Sequence, residues 1–346
     1  MQSDLMKKAA LFSILFFAAS MGIMAGLSVK KGAEQHREEQ RGRQEEAARE
    51  EDGIRSLTFV VGQADTSYLR IPVPEGCETG DIAVENHYMD RELYILVRGA
   101  GEDFYMENAI SGNREMITRG TCEPDEEGIK LKFQLTGMFE YRTILENNDL
   151  YISFLSPKEV YDRIVVIDPA CGGMNAGHEQ DGIKEKDISL QIAAKLKEKL
   201  DETDIKVYYT RMDDANPGEE IRAELANDAK ADMYIRIQAD AREDSSEYGI
   251  TAVYNGDFFI PGFGSIELAD CLEKEVVTSV SGKALGLCEA NAQEYALRHV
   301  MVPAAAVKVG CITNRQEAAL LVREEYQDRI AQGIYNAIIK VLEQAD

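Results

Sequence analysis

Basic residues are scarce in this chain. Thirty-eight lysines and arginines face 62 aspartates and glutamates across 346 residues, a formal net charge of -24 at pH 7. Nucleic acid is therefore excluded as a partner, because phosphate binding needs a clustered basic face. The same acidity favours solubility and gives no electrostatic pull toward anionic polymers, so any such contact must be specific. Histidine is scarcer still, with only His36, His87, His178 and His299. That leaves little material for a multi-histidine metal site. The six cysteines (77, 122, 171, 271, 288 and 311) contain no CxxC pair and no short metal-like spacing. Outside the cytosol an even count permits disulfides without establishing any. No internal repeat is visible.

What is present is organised in blocks. After a short tail of residues 1–8, the run from Ala9 to Val29 carries no charge and is bracketed by Lys7-Lys8 and Lys30-Lys31. About 20 apolar residues span the hydrocarbon core, so this run suffices. Its apolar pattern continues through Met21, Ile23, Met24 and Leu27, which predicts an uncleaved transmembrane anchor over 9–29. The alternative is a signal peptide cut near Ala18-Ala19-Ser20. Lysines on both flanks leave orientation nearly undetermined. Residues 30–52 are almost all Glu, Arg, Gln and Ala, with no apolar stripe to bury, and read as a solvated stalk.

From 53 to 160 the pattern is one of short strands. Ile129, Leu131, Phe133 and Leu135 alternate with Lys130, Lys132 and Gln134, as in a strand with one wet face. Leu150, Ile152 and Phe154 repeat the device, and Glu146-Asn147-Asn148-Asp149 marks a turn. About eight such strands predict a small all-β sandwich. From 161 to 346 strands alternate with helices. Arg163–Ile167 reads as a buried strand, and Glu185–Asp201 as a helix with Ile188, Ile192, Leu196 and Leu200 on one face. Further strands are expected at 205–210, 233–239, 250–255 and 304–312, and helices at 219–229, 266–280 and 325–344. The fold class is therefore α/β, a twisted and mostly parallel sheet covered by helices, preceded by the sandwich and the N-terminal transmembrane helix.

Within this last block lie Asp168-Pro169, Gly172-Gly173 and Gly177 after the first strand, then Glu185-Lys186-Asp187 opening the first helix. Thr210-Arg211, Arg222, Ala226-Asn227, Ala231-Asp232, Pro303-Ala304, Gly310 and Thr313-Asn314 follow in register. Together they make residues 161–346 resemble the zinc-dependent N-acetylmuramoyl-L-alanine amidases, and the sandwich resembles the wall-targeting module often found ahead of them. The resemblance implies an extracytoplasmic place for residues 30–346, with peptidoglycan, muropeptides or another envelope protein as partner and the membrane engaged through 9–29.

It also implies four site positions: histidine, glutamate and histidine ligands for zinc, and a glutamate acting as general base toward the zinc-bound water. Only one is retained here. Cys171 replaces the first histidine, Glu185 is kept, Gln238 replaces the second histidine, and Lys308 replaces the catalytic glutamate. Ala170, Asn175 and Thr251 also stand where the family usually has glycine, aspartate and glutamate. A glutamine amide is a poor zinc ligand, and an ammonium repels a dication at short range. The expectation is a degenerate site that holds no cofactor, with Lys308 paired to Glu185. The alternative is an active amidase using zinc through an altered ligand set, with Cys171 as thiolate and His178 or His299 as conceivable replacements. Arg222 and Asn227 are expected to line the groove.

Overall fold

The computed structural model describes residues 54–60 and 67–345. The expected anchor and stalk lie outside these residues, and no helix among them is long and apolar enough to cross a membrane.

Ten strands build the first part: β1 (Arg55–Ser56), β2 (Phe59–Val60), β3 (Leu69–Pro72), β4 (Ile82–His87), β5 (Glu92–Arg98), β6 (Ile110–Gly112), β7 (Ile117–Asp125), β8 (Gly128–Leu135), β9 (Glu140–Glu146) and β10 (Asp149–Leu155). They form two five-stranded sheets, ordered β1-β7-β8-β5-β4 and β2-β6-β3-β10-β9. The alternation along β8 sends Ile129, Leu131, Phe133 and Leu135 inward, where they share one core with Leu93, Ile95, Leu69, Ile71, Leu150 and Ile152. Asn147 and Asn148 both adopt positive φ, 52° and 59°, which closes the two-residue β9–β10 hairpin with the right twist. Two single-turn helices, α1 (Phe104–Glu107) and α2 (Pro157–Val160), complete this part.

The second part contains β11 (Ile164–Pro169), the small hairpin β12 (Glu179–Gln180) and β13 (Ile183–Lys184), α3 (Glu185–Leu200), β14 (Lys206–Tyr209), α4 (Glu219–Ala229) and β15 (Met233–Asp240). It continues with β16 (Ile250–Tyr254), α5 (Ser265–Val280), β17 (Ala284–Glu289), α6 (Tyr295–His299), β18 (Ala304–Cys311), α7 (Arg315–Leu321) and α8 (Glu324–Ala345). Six strands form one sheet, ordered β14-β11-β15-β18-β16-β17. Neighbours run parallel except β16 against β18. Strand β11 is buried on both faces, as the continuous apolar run Ile164-Val165-Val166-Ile167 requires. Val165 and Ile167 pack with Ile188, Ile192, Leu272 and Ile334 from α3, α5 and α8, while Ile164 and Val166 pack with Ala223, Ala226 and Leu297 from α4 and α6. The close α5–α8 crossing depends on Gly333, where a Cβ would come within 2.6 Å of the Val276 Cα.

The sandwich covers the edge strand β14. The Tyr88 hydroxyl donates to the Tyr209 carbonyl at 3.0 Å, and Arg91 pairs with Glu224 and Asp228 on α4 at 2.8 and 2.9 Å. An exposed sheet edge is a template for unwanted pairing, and this one is occupied.

Candidate functional site

The C-terminal ends of β11, β15 and β18 converge with the first residue of α3, the usual place for a ligand crevice in an open α/β sheet. Cys171 follows β11, Glu185 opens α3, Gln238 lies near the end of β15, and Lys308 sits on β18. Gln238 and Lys308 are register partners on adjacent strands. Cys171 and Glu185 meet at Gly177, which has φ 69°; a Cβ there would collide with Glu185 Oε2 and come within 2.7 Å of Cys171 Sγ. The fold thus brings all four positions to one place.

The loop carrying Cys171 is held from beneath. Cys171 itself has positive φ, 64°, an uncommon conformation for a residue with a Cβ. Its carbonyl accepts from Arg222 Nη2 at 2.9 Å, and Arg211 donates to the Pro169 and Ala170 carbonyls at 2.9 Å. Arg222 is fully buried and pairs with the equally buried Asp168, which also accepts from Thr210 and Tyr234 and faces Arg236 at 3.3 Å. Burial alone would raise the Asp168 carboxyl, but Arg236, Arg222 and the two hydroxyls outweigh it and hold it down to about 2. The groove expected at Arg222 is therefore corrected: a guanidinium with no exposed surface braces the floor. Asn227 is likewise engaged by backbone, donating to the His299 carbonyl at 3.0 Å and accepting from Met301 N–H at 2.8 Å.

Lys308 does not pair with Glu185 as expected. Its Nζ lies 3.6 Å from Asp240 Oδ1 and 3.8 Å from Glu294 Oε1. The reason is local. The Glu185 carboxylate already accepts backbone N–H bonds from His178 at 2.9 Å and Ala239 at 3.2 Å. Burial nevertheless raises its pKa, opposed by the His178 bond. Asp240 and Glu294 had not been singled out from the sequence. Asp240 follows Gln238 by two, so strand periodicity would have placed it on the same face. Glu294 comes from the β17–α6 connection, and its Oε2 accepts from Gln238 Nε2 at 3.0 Å. His178 and His299 have exposed side chains, and the latter ring bonds its own helix at the Tyr295 carbonyl.

A model of the N-acetylmuramoyl-L-alanine amidase family matches residues 165–340, which is half of the chain. The chain belongs to the N-acetylmuramoyl-L-alanine amidase family. The germination-specific N-acetylmuramoyl-L-alanine amidase of Bacillus subtilis is 26% identical over 219 residues, covering 59% of this chain and 89% of that protein. The amidase LytC of the same organism is 26% identical, but the match covers only 36% of its length and 52% of this chain. Among solved structures, an N-acetylmuramoyl-L-alanine amidase from Clostridium difficile superposes with a TM-score of 0.50 at 33% identity, covering 53% of this chain and 98% of that one.

Amidases of this kind imply a zinc ion, and the donors present here do not fit one. The four positions offer one carboxylate, one thiol, one amide and one ammonium. Among the described residues no three His, Cys, Asp or Glu side chains are grouped to hold a metal. In the metal-free site burial, then the neighbouring Glu185 charge, pushes the Cys171 thiol up to about 12. Cys171 is accordingly expected to resist alkylation by iodoacetamide at pH 8 in the folded protein and to react on unfolding. Rapid modification of Cys171 in the folded state, located by peptide mass, would show that a thiolate is available.

Proposed function

We propose that the protein is a membrane-anchored, extracytoplasmic pseudoamidase that binds peptidoglycan or muropeptides, or another envelope protein, without cleaving them. The observation that carries this reading is Lys308. It stands at the family's general-base position and forms ion pairs with Asp240 and Glu294. An ammonium cannot accept the proton a general base must take unless its pKa falls by several units. With no zinc expected at Cys171, Glu185 and Gln238, the groove keeps its place in the fold but loses the hydrolytic nucleophile. The apolar run 9–29 supports the anchor, and the sandwich supports a second, wall-targeting contact. A second reading, an active amidase with an altered metal site, is favoured by the relatives, which are named as amidases.

The test uses purified full-length protein with zinc supplied. Incubation with muropeptides is expected to release no stem peptide by mass spectrometry, while the protein co-sediments with peptidoglycan sacculi. Steady release of stem peptide above a metal-free control would establish the second reading.

A further inference from the structure

An uncharged loop projects from the end of the sheet opposite the crevice. Strand β16 runs antiparallel to β18, with Thr251 beside Lys308 and Tyr254 beside Ala305. The connection from β16 to α5 therefore leaves at the N-terminal ends of β11, β15 and β18. From Phe258 to Ile266 it carries no charge, and residues 258–263 read Phe-Phe-Ile-Pro-Gly-Phe. Its feet are fixed. Asp257 pairs with Arg298 at 2.6 Å, Asn255 Nδ2 donates to the Val300 carbonyl at 2.8 Å, and the Glu267 carboxylate accepts from Gly264 N–H at 3.0 Å. Phe263 packs on the core beneath. The tip is left in solvent: Phe259 is 91% exposed, and Phe258, Pro261 and Ile266 are exposed with it. Exposed Met301 follows Val300, which Asn255 ties to the foot of the loop. Single exposed apolar residues need no account, but a run of them on one loop marks a contact surface.

We infer that residues 258–261 dip into the headgroup boundary of a lipid bilayer and hold this domain against the membrane, with the crevice turned away from it. A fluid apolar layer receives a projecting phenylalanine without a matching pocket, which a protein partner would have to supply. The formal charge of -24 excludes electrostatic capture by anionic headgroups, so the contact is apolar. The sandwich, which follows the expected anchor in the chain, joins the sheet at this same end, through Ile164 at the start of β11. Residues 30–52 can span no more than about 80 Å even when extended, which keeps the loop within reach of the bilayer. A tether of that kind leaves the domain free to turn, and the loop supplies the second contact that orients it. This inference rests on the anchor in the proposed function, and its test separates the two.

The chain contains no tryptophan, so Phe259→Trp places a single reporter at the tip. Full-length Phe259→Trp protein is reconstituted into phosphatidylcholine vesicles, with and without bromine on the acyl chains. The expected result is blue-shifted emission and a strong loss of intensity in the brominated vesicles. Tyr248→Trp, exposed at the other end of β16, serves as the control and should emit at long wavelength with no such loss. Adding Phe258→Asp should remove most of the quenching at position 259, with thermal unfolding used to verify folding. Flotation after alkaline carbonate treatment reads the anchor separately. Protein that floats but shows no bromine quenching at 259 overturns the inference and leaves the anchor standing. Blue-shifted emission without quenching means that the tip is buried against protein, a second copy included, and also overturns it. Quenching in protein that carbonate then strips from the vesicles upholds the loop contact and overturns the anchor. Protein that neither binds vesicles nor is quenched overturns the two together.

Discussion

Replacing Arg222 by methionine is expected to lower the stability of the amidase-type domain by about 3–5 kcal/mol, the usual effect of removing one partner of a buried ion pair. Arg222 and Asp168 have no exposed side-chain surface. Besides that pair, Arg222 donates to the carbonyls of Pro169 at 3.1 Å, Cys171 at 2.9 Å and Pro217 at 2.9 Å. Methionine would leave the Cys171 and Pro217 carbonyls, and part of the Asp168 charge, without their donor, while Pro169 keeps its bond from Arg211. For a domain of this size each kcal/mol moves the midpoint by roughly 2–4 °C, so thermal denaturation should fall by on the order of 10 °C. The same network predicts a pH dependence. The Asp168 carboxyl is held down to about 2 in the folded chain, against an ordinary 3.8. Its contribution is therefore fully present above about pH 4 and is lost as pH falls toward 2. The Arg222→Met protein should show a shallower loss over that window, because only Arg236 and the Thr210 and Tyr234 hydroxyls remain to hold the carboxylate. A midpoint shift of no more than a degree or two would mean that Arg222 is not the brace described.

Restoring three side chains together, Cys171→His, Gln238→His and Lys308→Glu, is expected to raise bound zinc to about one per chain, since Glu185 is already in place. Single changes should not suffice. Lys308→Glu alone would set a third carboxylate beside Asp240 and Glu294, now 3.6 and 3.8 Å from the ammonium, and like charges at that range destabilise. The histidines alone would leave the ammonium facing the metal. The expected result is non-additive, with the triple variant holding zinc that none of the single variants retains after dialysis. Metal analysis of the parent, the three single variants and the triple variant side by side reads this directly. Equal zinc in the parent protein and the triple variant would contradict the account.

Long apolar periodicity made most of the scaffold legible. The stripe Ile188, Ile192, Leu196, Leu200 marks α3, and the run from 164 to 167 marks β11, because both patterns are dictated by burial. Short elements escaped. Strand β17 has a mixed burial pattern with exposed ends, and α6 spans only Tyr295–His299, so neither carries enough periodic signal. The sandwich has ten strands rather than about eight because β1 and β2 are two-residue pairings with almost no pattern to read. At the site, residue identities could be mapped by resemblance, but partners could not. Glu185 seemed to need a counter-charge, yet two backbone N–H groups satisfy it. Glu294 reaches Gln238 and Lys308 from a connection far along the chain, which no local spacing announces. The expectation that Arg222 lines the groove fails because tertiary packing buries it against Asp168.

In this amidase-family fold a lysine-centred ion-pair cluster occupies the place where the family resemblance implies a metal site. Zinc per chain, measured on full-length protein purified with zinc supplied and then dialysed, tests it most directly. Far less than one zinc per chain is expected. A value near one, lost when Cys171 or Glu185 is replaced by alanine, would contradict it.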